Sequence, residues 1–195
     1  MALLAPAHVG HLAMLRTLIR KSAAEGSFDR DLAGETPHAE EFFAKLKRAL
    51  VTGYFVETDA RTGRIDTVAV PGYVFWPDGR NSSSAPAGFG LFRAIEDGGY
   101  ELWLAGLEFA ERGGGLGRAL LSSLLATPPG QSTWVVRISR ESRYGAAVAH
   151  LLDGLGFDVA GDTARLRWFV RRDAPPALAA RIRGGTQEPS GRAIN

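Results

Sequence analysis

The residues with the clearest chemical potential form a glycine-rich segment, residues 112–118, with the sequence RGGGLGR. Glycine allows the backbone to come close to a ligand, because it has no side chain. Apolar residues at helical spacing follow the segment, and the first turn of a helix offers unpaired N–H groups and the positive end of the helix dipole. Backbone donors in this setting bind anions, so the segment predicts a site for a pyrophosphate.

Two common phosphate-binding loops do not fit this segment. A P-loop places Lys and then Ser or Thr after the last glycine, whereas Arg118 and Ala119 follow Gly117. A Rossmann loop needs a third glycine at a fixed spacing in the first βα unit, and this segment lacks it and lies past the middle of the chain. The looser pattern Arg/Gln-x-x-Gly-x-Gly/Ala should occur by chance roughly 0.7 times in such a chain, so a simple flexible turn stays open as an alternative.

Hydrophobic periodicity predicts the elements that position this segment. A period of 3.6 predicts helices over residues 8–24, from Thr36 onward, and over 116–126 and 144–155. Alternation predicts strands over residues 2–5, 53–58, 67–76, 88–96, 100–109, 133–139 and 164–171. This order predicts a mixed α/β (α+β) fold around one sheet. The strand–helix units at 100–126 and 133–155 should place two parallel strands side by side.

Composition excludes several classes of protein. The chain has 195 residues, 45% of them hydrophobic and 23% charged, which indicates one soluble domain. We expect this domain to span residues 1–172 and to be followed by a flexible tail over residues 173–195. The absence of cysteine excludes disulfides, Cys-ligated metals and a thiol nucleophile in this sequence. A net charge of +2 does not indicate nucleic-acid binding, and the histidine spacing does not indicate a metal site. With no apolar run of roughly 20 residues and no basic leader, we expect a cytoplasmic protein without a membrane partner.

Residues 100–157 resemble the core of the GNAT superfamily, the Gcn5-related N-acetyltransferases. The strand at 100–109 and the loop and helix after it resemble that family's acetyl-CoA motif, Arg/Gln-x-x-Gly-x-Gly/Ala. The second βα unit ends in Leu155-Gly156-Phe157, as that unit usually does in the family. The resemblance implies a mostly antiparallel mixed sheet with a splayed parallel strand pair that binds acetyl-CoA. It also implies acetyl transfer to a primary amine by direct attack in a ternary complex.

The resemblance also implies roles for individual residues. The backbone of Leu107 and Phe109 should pair with the pantetheine arm, and amides of the glycine loop should hold the pyrophosphate. The implied cofactor-binding set is Leu107, Glu108, Phe109, Arg112, Gly113, Gly114, Gly115, Leu116, Gly117 and Arg118. Of these, Glu108 is expected to face solvent.

Glu101 is the candidate general base, because it falls on the strand where histone-type members carry their basic Glu. Strand alternation should place Glu101 on the same face as Trp103, Ala105 and Leu107; the alternative is a solvated Glu at the sheet edge. Many members protonate the leaving thiolate with a Tyr on the last helix, but that position holds Leu152 here. Tyr144 and Ser142, at the start of that helix, are the remaining candidates for the acid.

The missing Tyr leaves a second hypothesis open, a CoA-binding regulatory or interaction protein without turnover. A longer acyl-CoA is a further alternative within the superfamily. The sequence does not identify the amine acceptor. A homodimer is possible, since dimers are common among the proteins that the chain resembles.

Overall fold

The computed structural model describes residues 3–58, 63–77, 85–95, 98–112, 114–127 and 132–183. Within these ranges the strands are β1 Leu3–Pro6, β2 Tyr54–Thr58, β3 Ile65–Ala69, β4 Gly72–Trp76, β5 Gly88–Ile95, β6 Gly99–Leu107, β7 Thr133–Ser139, β8 Phe157–Asp162 and β9 Leu166–Arg171. The helices are α1 Leu12–Ala24, α2 Pro37–Thr52, α3 Leu116–Ala126, α4 Gly145–Gly154 and α5 Pro176–Arg183. Short 3-10 turns occupy Val9–His11, Arg30–Ala33 and Phe109–Glu111.

The central sheet has seven strands in the order β1-β4-β5-β6-β7-β9-β8. Strands β6 and β7 pair in parallel, and the other neighbouring strands of this sheet pair antiparallel. Strands β2 and β3 form a separate antiparallel hairpin. The sequence-based prediction of a mixed fold with one parallel pair is confirmed.

Helices cover the two faces of the sheet and bury a core on each. On one face α1 and α2 pack against β5, with Leu15, Phe42 and Phe89 in one buried cluster. On the other face α3 and α4 pack against Phe92 and Leu102. The bounds of α2 follow from its sequence. Its N-cap is Thr36, whose hydroxyl accepts a hydrogen bond from the backbone N–H of Ala39. Its C-cap is Gly53, whose φ of 81° lies in the left-handed region.

A bulge in β6 changes which side chains face which core. The register between β5 and β6 shifts between Leu91 and Phe92, so that Trp103 is an extra residue on β6. Trp103 packs toward α1, α2 and the hairpin, whereas Ala105 and Leu107 pack on the α3 face. The expectation that Glu101 shares one face with Ala105 and Leu107 is therefore wrong, because simple alternation does not continue through a bulge.

Several element boundaries differ from the sequence prediction. The single strand expected over 67–76 is two strands, separated at Val70 and Pro71, where the chain passes from the hairpin to the main sheet. The sequence did not predict strand β8, because most of its residues are Asp, Ala and Gly, which are uncommon in strands. The strand expected over 100–109 ends at Leu107, and Phe109 begins a 3-10 turn.

Helix α5 lies inside the segment that the sequence suggested as a flexible tail. Leu178 is fully buried and Ile182 nearly so, in a cluster with Val135 and Trp168 of the sheet. Their spacing of four residues places both on one side of the helix. Residues up to 183 therefore pack against the domain, and residues 184–195 lie outside the described part of the chain.

Candidate functional site: a gap between two parallel strands

The parallel strands β6 and β7 separate part of the way along their length. Their pairing runs from Tyr100 and Thr133 to Leu102 and Val136. Beyond this point β6 continues to Leu107 and β7 to Ser139 without further pairing between them. Two strand edges that do not pair with each other thus face each other across a gap, an arrangement that suits an extended, amide-bearing ligand.

Leu107 presents its backbone to this gap. The N–H of the next residue, Glu108, donates to the Ala87 carbonyl on the β5 side at 2.8 Å. Backbone direction alternates along an antiparallel strand, so the N–H and C=O of Leu107 point the other way, toward β7. The Leu107 carbonyl accepts a hydrogen bond from Arg112 Nε at 3.2 Å.

The glycine loop turns into α3 at the open end of the gap. Gly114 and Gly115 have φ values of 53° and 84°, in the left-handed region that favours glycine. Gly115 is the N-cap of α3 and makes no side-chain capping bond. Apart from the glycines' own chain neighbours and the backbone of α3, no described atom lies within 4 Å of where a Cβ would stand at Gly114, Gly115 or Gly117, so this side of the loop is open. An anion could therefore reach the first N–H groups of α3.

The other residues of the implied cofactor-binding set differ in their exposure and in the residues that they contact. The Arg118 side chain is exposed on the first turn of α3, and Leu116 packs in part against the α3 core. Glu108 pairs with Lys21 of α1 at 2.9 Å and is partly exposed. The backbone of Phe109 belongs to the 3-10 turn. Gly113 lies outside the described residues.

The Arg112 side chain crosses from the loop to α1 and α4. It forms an ion pair with Glu25, at the end of α1, and Nη2 lies 3.4 Å from Ser22 Oγ. Its guanidinium carbon also lies 5.1 Å from the centre of the Tyr144 ring. This contact network was not predicted from the sequence, since Arg112 and Glu25 lie 87 residues apart.

Tyr144 and Ser142 lie together at the start of α4. Interaction with the Arg112 guanidinium, and secondarily with Arg143, lowers the pKa of Tyr144 below its usual value of 10.0. Arg143 donates a hydrogen bond to the Tyr144 hydroxyl. Ser142 Oγ lies 3.4 Å from Ser27 Oγ, in the segment after α1. Both candidates for the acid thus lie where α1, α4 and the glycine loop meet.

Leu152 occupies the position at which the resemblance implied a tyrosine. Its exposed fraction is 0%, and it packs in the core with Leu102, Leu120 and Phe157. The side chain therefore has a packing role.

Glu101 is buried, with an exposed fraction of 1%. It forms an ion pair with Arg137 of β7, whose guanidinium in turn lies 5.0 Å from the centre of the Trp168 ring. Glu101 also lines a cavity of about 250 Å³ below the β2–β3 hairpin. The alternative of a solvated Glu at the sheet edge is wrong, because β6 is a central strand.

Sequence reasoning missed the other charged residues around Glu101. Arg93 is buried directly across from Glu101 in the β5–β6 register, and it pairs with Glu57 of the hairpin at 3.0 Å. A signal was present in the sequence: Arg93 and Arg137 each interrupt a run of apolar strand residues. A buried charge at such a position needs a partner, which the pattern alone does not identify.

No protein-family model and no curated protein matches the sequence, whereas many solved structures share its fold. The GNAT superfamily phosphinothricin acetyltransferase of Sinorhizobium meliloti, in complex with AcCoA, has 20% identity and a TM-score of 0.56, with 87% of each chain covered. The PaiA N-acetyltransferase of Thermoplasma acidophilum, in complex with coenzyme A, has 15% identity and a TM-score of 0.55, over 88% of this chain and 99% of that one. The ribosomal-protein-S18-alanine N-acetyltransferase of Escherichia coli has 15% identity and a TM-score of 0.53, over 88% and 93%.

Neither a membrane-spanning helix nor a cluster of metal ligands occurs among the described residues. No helix there combines the length and the apolar character needed to cross a membrane. Nor do three His, Asp or Glu side chains come together there as a possible metal site.

Proposed function

We propose that this chain, which has the fold of the GNAT N-acetyltransferases, transfers an acetyl group from acetyl-CoA to a primary amine by direct attack in a ternary complex. The observation that carries the proposal is the gap between β6 and β7, which leads to an uncapped, glycine-lined helix start. The relatives in fold that were solved with CoA or AcCoA support the same ligand.

The residues present fit such a ligand. Leu107 offers a backbone donor and acceptor to an amide-bearing arm, and the first N–H groups of α3 offer donors to a pyrophosphate. Arg118 adds a positive charge beside them. Acetyl-CoA, when bound, supplies a thioester whose acetyl group passes to the amine nitrogen while the thiol is released.

We assign the proton transfers to residues on either side of the gap. A lysine-like ammonium must lose a proton before it attacks, which costs about 4.6 kcal/mol at pH 7. Glu101, one residue before the point where β6 and β7 part, is the proposed base. Tyr144 is the proposed acid for the leaving thiolate, with Ser142 beside it as the alternative. The acyl chain, a cytoplasmic location and a homodimer stay predictions from the sequence.

The first experiment measures ligand binding and turnover together. Acetyl-CoA and CoA at millimolar concentration should raise the melting temperature of the protein, because a ligand that binds only the native state stabilises it. A panel of primary amines should then release free thiol from acetyl-CoA. The absence of any thermal shift would contradict the proposal.

Substitution of Glu101 tests its role. Glu101→Gln should lower kcat about 10²-fold, the usual order for a lost general base, while the CoA-dependent thermal shift persists. Glu41→Gln removes the same charge from the exposed face of α2 and should leave kcat unchanged. If Glu101→Gln lowers only the melting temperature, the ion pair with Arg137 is structural and another group is the base.

A CoA-binding protein without turnover is the second candidate function. The buried Leu152 favours it, since many of the superfamily's enzymes have a tyrosine there. A thermal shift with CoA, combined with no thiol release for any amine of the panel, would support this function over the first.

A further inference from the structure

Strand β2 has one edge beside which no other strand lies in the described part of the chain. It pairs with β3 on its other side, and this hairpin is separate from the seven-stranded sheet. Proteins commonly protect such an edge with proline, lysine or a bulge, because an unpaired edge can bind another strand. The sequence of β2, YFVET, contains neither proline nor lysine, and its register with β3 is regular. We call this side of the strand the open edge of β2.

The backbone of Val56 faces the open edge. The Val70 N–H donates to the Gly53 carbonyl at 2.8 Å, so the carbonyl of Gly53 points toward β3. Backbone direction alternates along an antiparallel strand, so the N–H and C=O of Tyr54 and Val56 point the other way. The contacts of Tyr54 agree, since its N–H and its carbonyl oxygen each lie 3.3 Å from the Thr52 hydroxyl and not on β3. Val56 therefore presents a donor and an acceptor to a further strand.

A groove of about 270 Å³ lies between this part of β2 and helix α2. Phe55 and Val56 form the strand side of the groove. The helix side is one face of α2, with residues three or four positions apart: Glu41, Ala44, Lys45 and Arg48. A segment that paired with the open edge would thus lie along this face of α2.

Arg48 gives the groove an excess of positive charge. Lys45 and Glu41 form an ion pair one helical turn apart, so their charges offset each other. Arg48 is exposed and has no acidic partner within the described ranges. A second copy of this chain, paired edge to edge, would bring two positively charged grooves together, which like-charge repulsion disfavours. A partner with acidic side chains fits the groove better.

The outer face of the hairpin is apolar next to the open edge. Tyr54 and Val56 on β2 are 50% and 41% exposed, and Ile65 on β3 is 68% exposed. Clustered apolar side chains on a surface are typical of a contact with another protein. Side chains alternate between the two faces of a strand, so an added strand would place every second side chain beside Tyr54 and Val56 and the others over α2.

We propose that the open edge of β2 binds an extended segment of another protein in which acidic and apolar side chains alternate. The backbone of the segment pairs with Val56, its acidic side chains lie toward Arg48, and its apolar side chains extend the outer face of the hairpin. Residues 184–195 of this chain do not fit that description, because they include a proline and three glycines and do not alternate. The proposal does not rest on acetyl transfer, because β2 is not part of the sheet that contains the gap.

The test uses two hexapeptides with an acetylated N-terminus and an amidated C-terminus. One alternates Glu with Val, and the other alternates Arg with Val. Neither carries a primary amine, so neither is an acceptor for the proposed acetyl transfer. In isothermal titration of the whole chain, the Glu–Val peptide should bind at least tenfold more tightly than the Arg–Val peptide, with or without saturating CoA. Equal affinities, or no binding of the Glu–Val peptide at millimolar concentration, would overturn the proposal.

Two substitutions of Val56 separate the backbone from the side chain. Val56→Pro removes the N–H at the open edge and spares the bonds to β3, as proline does on edge strands. It should weaken binding of the Glu–Val peptide at least tenfold, whereas Val56→Ala, which keeps the N–H, should weaken it less than threefold. Equal losses would contradict backbone pairing.

A modified peptide makes the same test if Val56→Pro unfolds the hairpin. Methylation of every second backbone nitrogen of the Glu–Val peptide blocks the donors on one side of that strand only. Of the two peptides methylated in this way, one should lose binding and the other should keep it. If both bind as tightly as the parent peptide, the segment does not pair with the edge.

The charge of the groove is tested with a matched pair of variants. Arg48→Gln should weaken binding of the Glu–Val peptide about fivefold, the upper range for an exposed ion pair. Arg165→Gln, at an exposed position between β8 and β9, removes the same charge and should have no effect. Sedimentation of the protein alone tests the other occupant. A stable dimer that dissociates in Val56→Pro would place a second copy on the edge and overturn the proposal.

Discussion

Arg112 joins three parts of the molecule that meet around the gap: the end of β6, the end of α1 and the start of α4. One of its bonds goes to the Leu107 carbonyl, which the proposed ligand arm would also use. A carbonyl oxygen has two lone pairs and can accept two donors, so Arg112 can hold the strand end in place while a ligand binds. The backbone roles that the resemblance implied here stay predictions, and the contacts of the Arg112 side chain were not predicted, because long-range ion pairs leave no local pattern.

Tyr144 gives a prediction at the same scale. If its hydroxyl protonates the leaving thiolate, Tyr144→Phe should lower kcat about 10²-fold and leave the KM for acetyl-CoA unchanged. The wild-type kcat should fall as the pH rises through the lowered pKa of Tyr144, because the phenolate has no proton to give. Tyr144→Phe should lack that fall.

The contribution of Tyr144 to the free energy of unfolding should rise with pH, whereas kcat should fall. The guanidiniums favour the phenolate, so their stabilising effect is full above the unfolded pKa of about 10 and is lost as the pH falls through the lower folded value. Tyr54→Phe, on the exposed side of the hairpin, is the control for this stability measurement.

The kcat of Tyr144→Phe decides the role of its hydroxyl. An unchanged kcat would leave Ser142 or water as the acid.

At the scale of elements, the predictions succeeded where the local signal was strong. Helix α2 was expected at Thr36, and α3 and β7 were expected with the bounds that the structure has. The bulge at Trp103 could not be predicted, because the residues of β6 after Glu101 are apolar on both faces and either register satisfies their pattern. The orientation of Glu101 relative to Leu107 depends on this bulge.

Helix α3 permits a test in which folding and binding change in opposite directions. Arg118→Glu places a negative charge in the first turn of α3, where the helix dipole favours it by about 0.3–1 kcal/mol. The same charge should repel a pyrophosphate, so CoA affinity should fall about tenfold or more. Denaturant unfolding and CoA titration measure the two effects.

The control for that variant is a charge reversal far from the loop. Lys47→Glu makes the same type of change on the exposed side of α2 and should leave CoA affinity unchanged. If Arg118→Glu binds CoA as well as the wild type, the pyrophosphate does not lie at the start of α3.

At the scale of the whole molecule, the chain after β9 completes the domain. Leu178 contacts the cluster that includes Val135 and Val170, so α5 covers one end of the sheet. Sequence reasoning assigned this segment to a flexible tail and did not predict its burial. The Pro, Gly and Ala content of the segment resembles that of a linker, and only the facing surface of the sheet shows why Leu178 and Ile182 are apolar.

Removal of the Leu178 side chain should measure this contribution. Leu178→Ala should lower the free energy of unfolding by about 2–5 kcal/mol, the usual cost of such a cavity in a core. Arg183→Ala, on the exposed side of the same helix, should change it by less than about 0.5 kcal/mol. Urea unfolding of both variants gives the comparison, and an equal effect would mean that α5 does not pack as described.

The short pairing between β6 and β7 has a consequence for how the chain could be divided. Strands β1, β4, β5 and β6 come from the first 107 residues, and β7, β9 and β8 come from residues 133–171. Each group is continuous in sequence, and only a few backbone pairs join them. A break in the chain between α3 and β7 would give two fragments whose reassociation rebuilds the gap. Co-expressed halves could thus report on ligand binding by complementation.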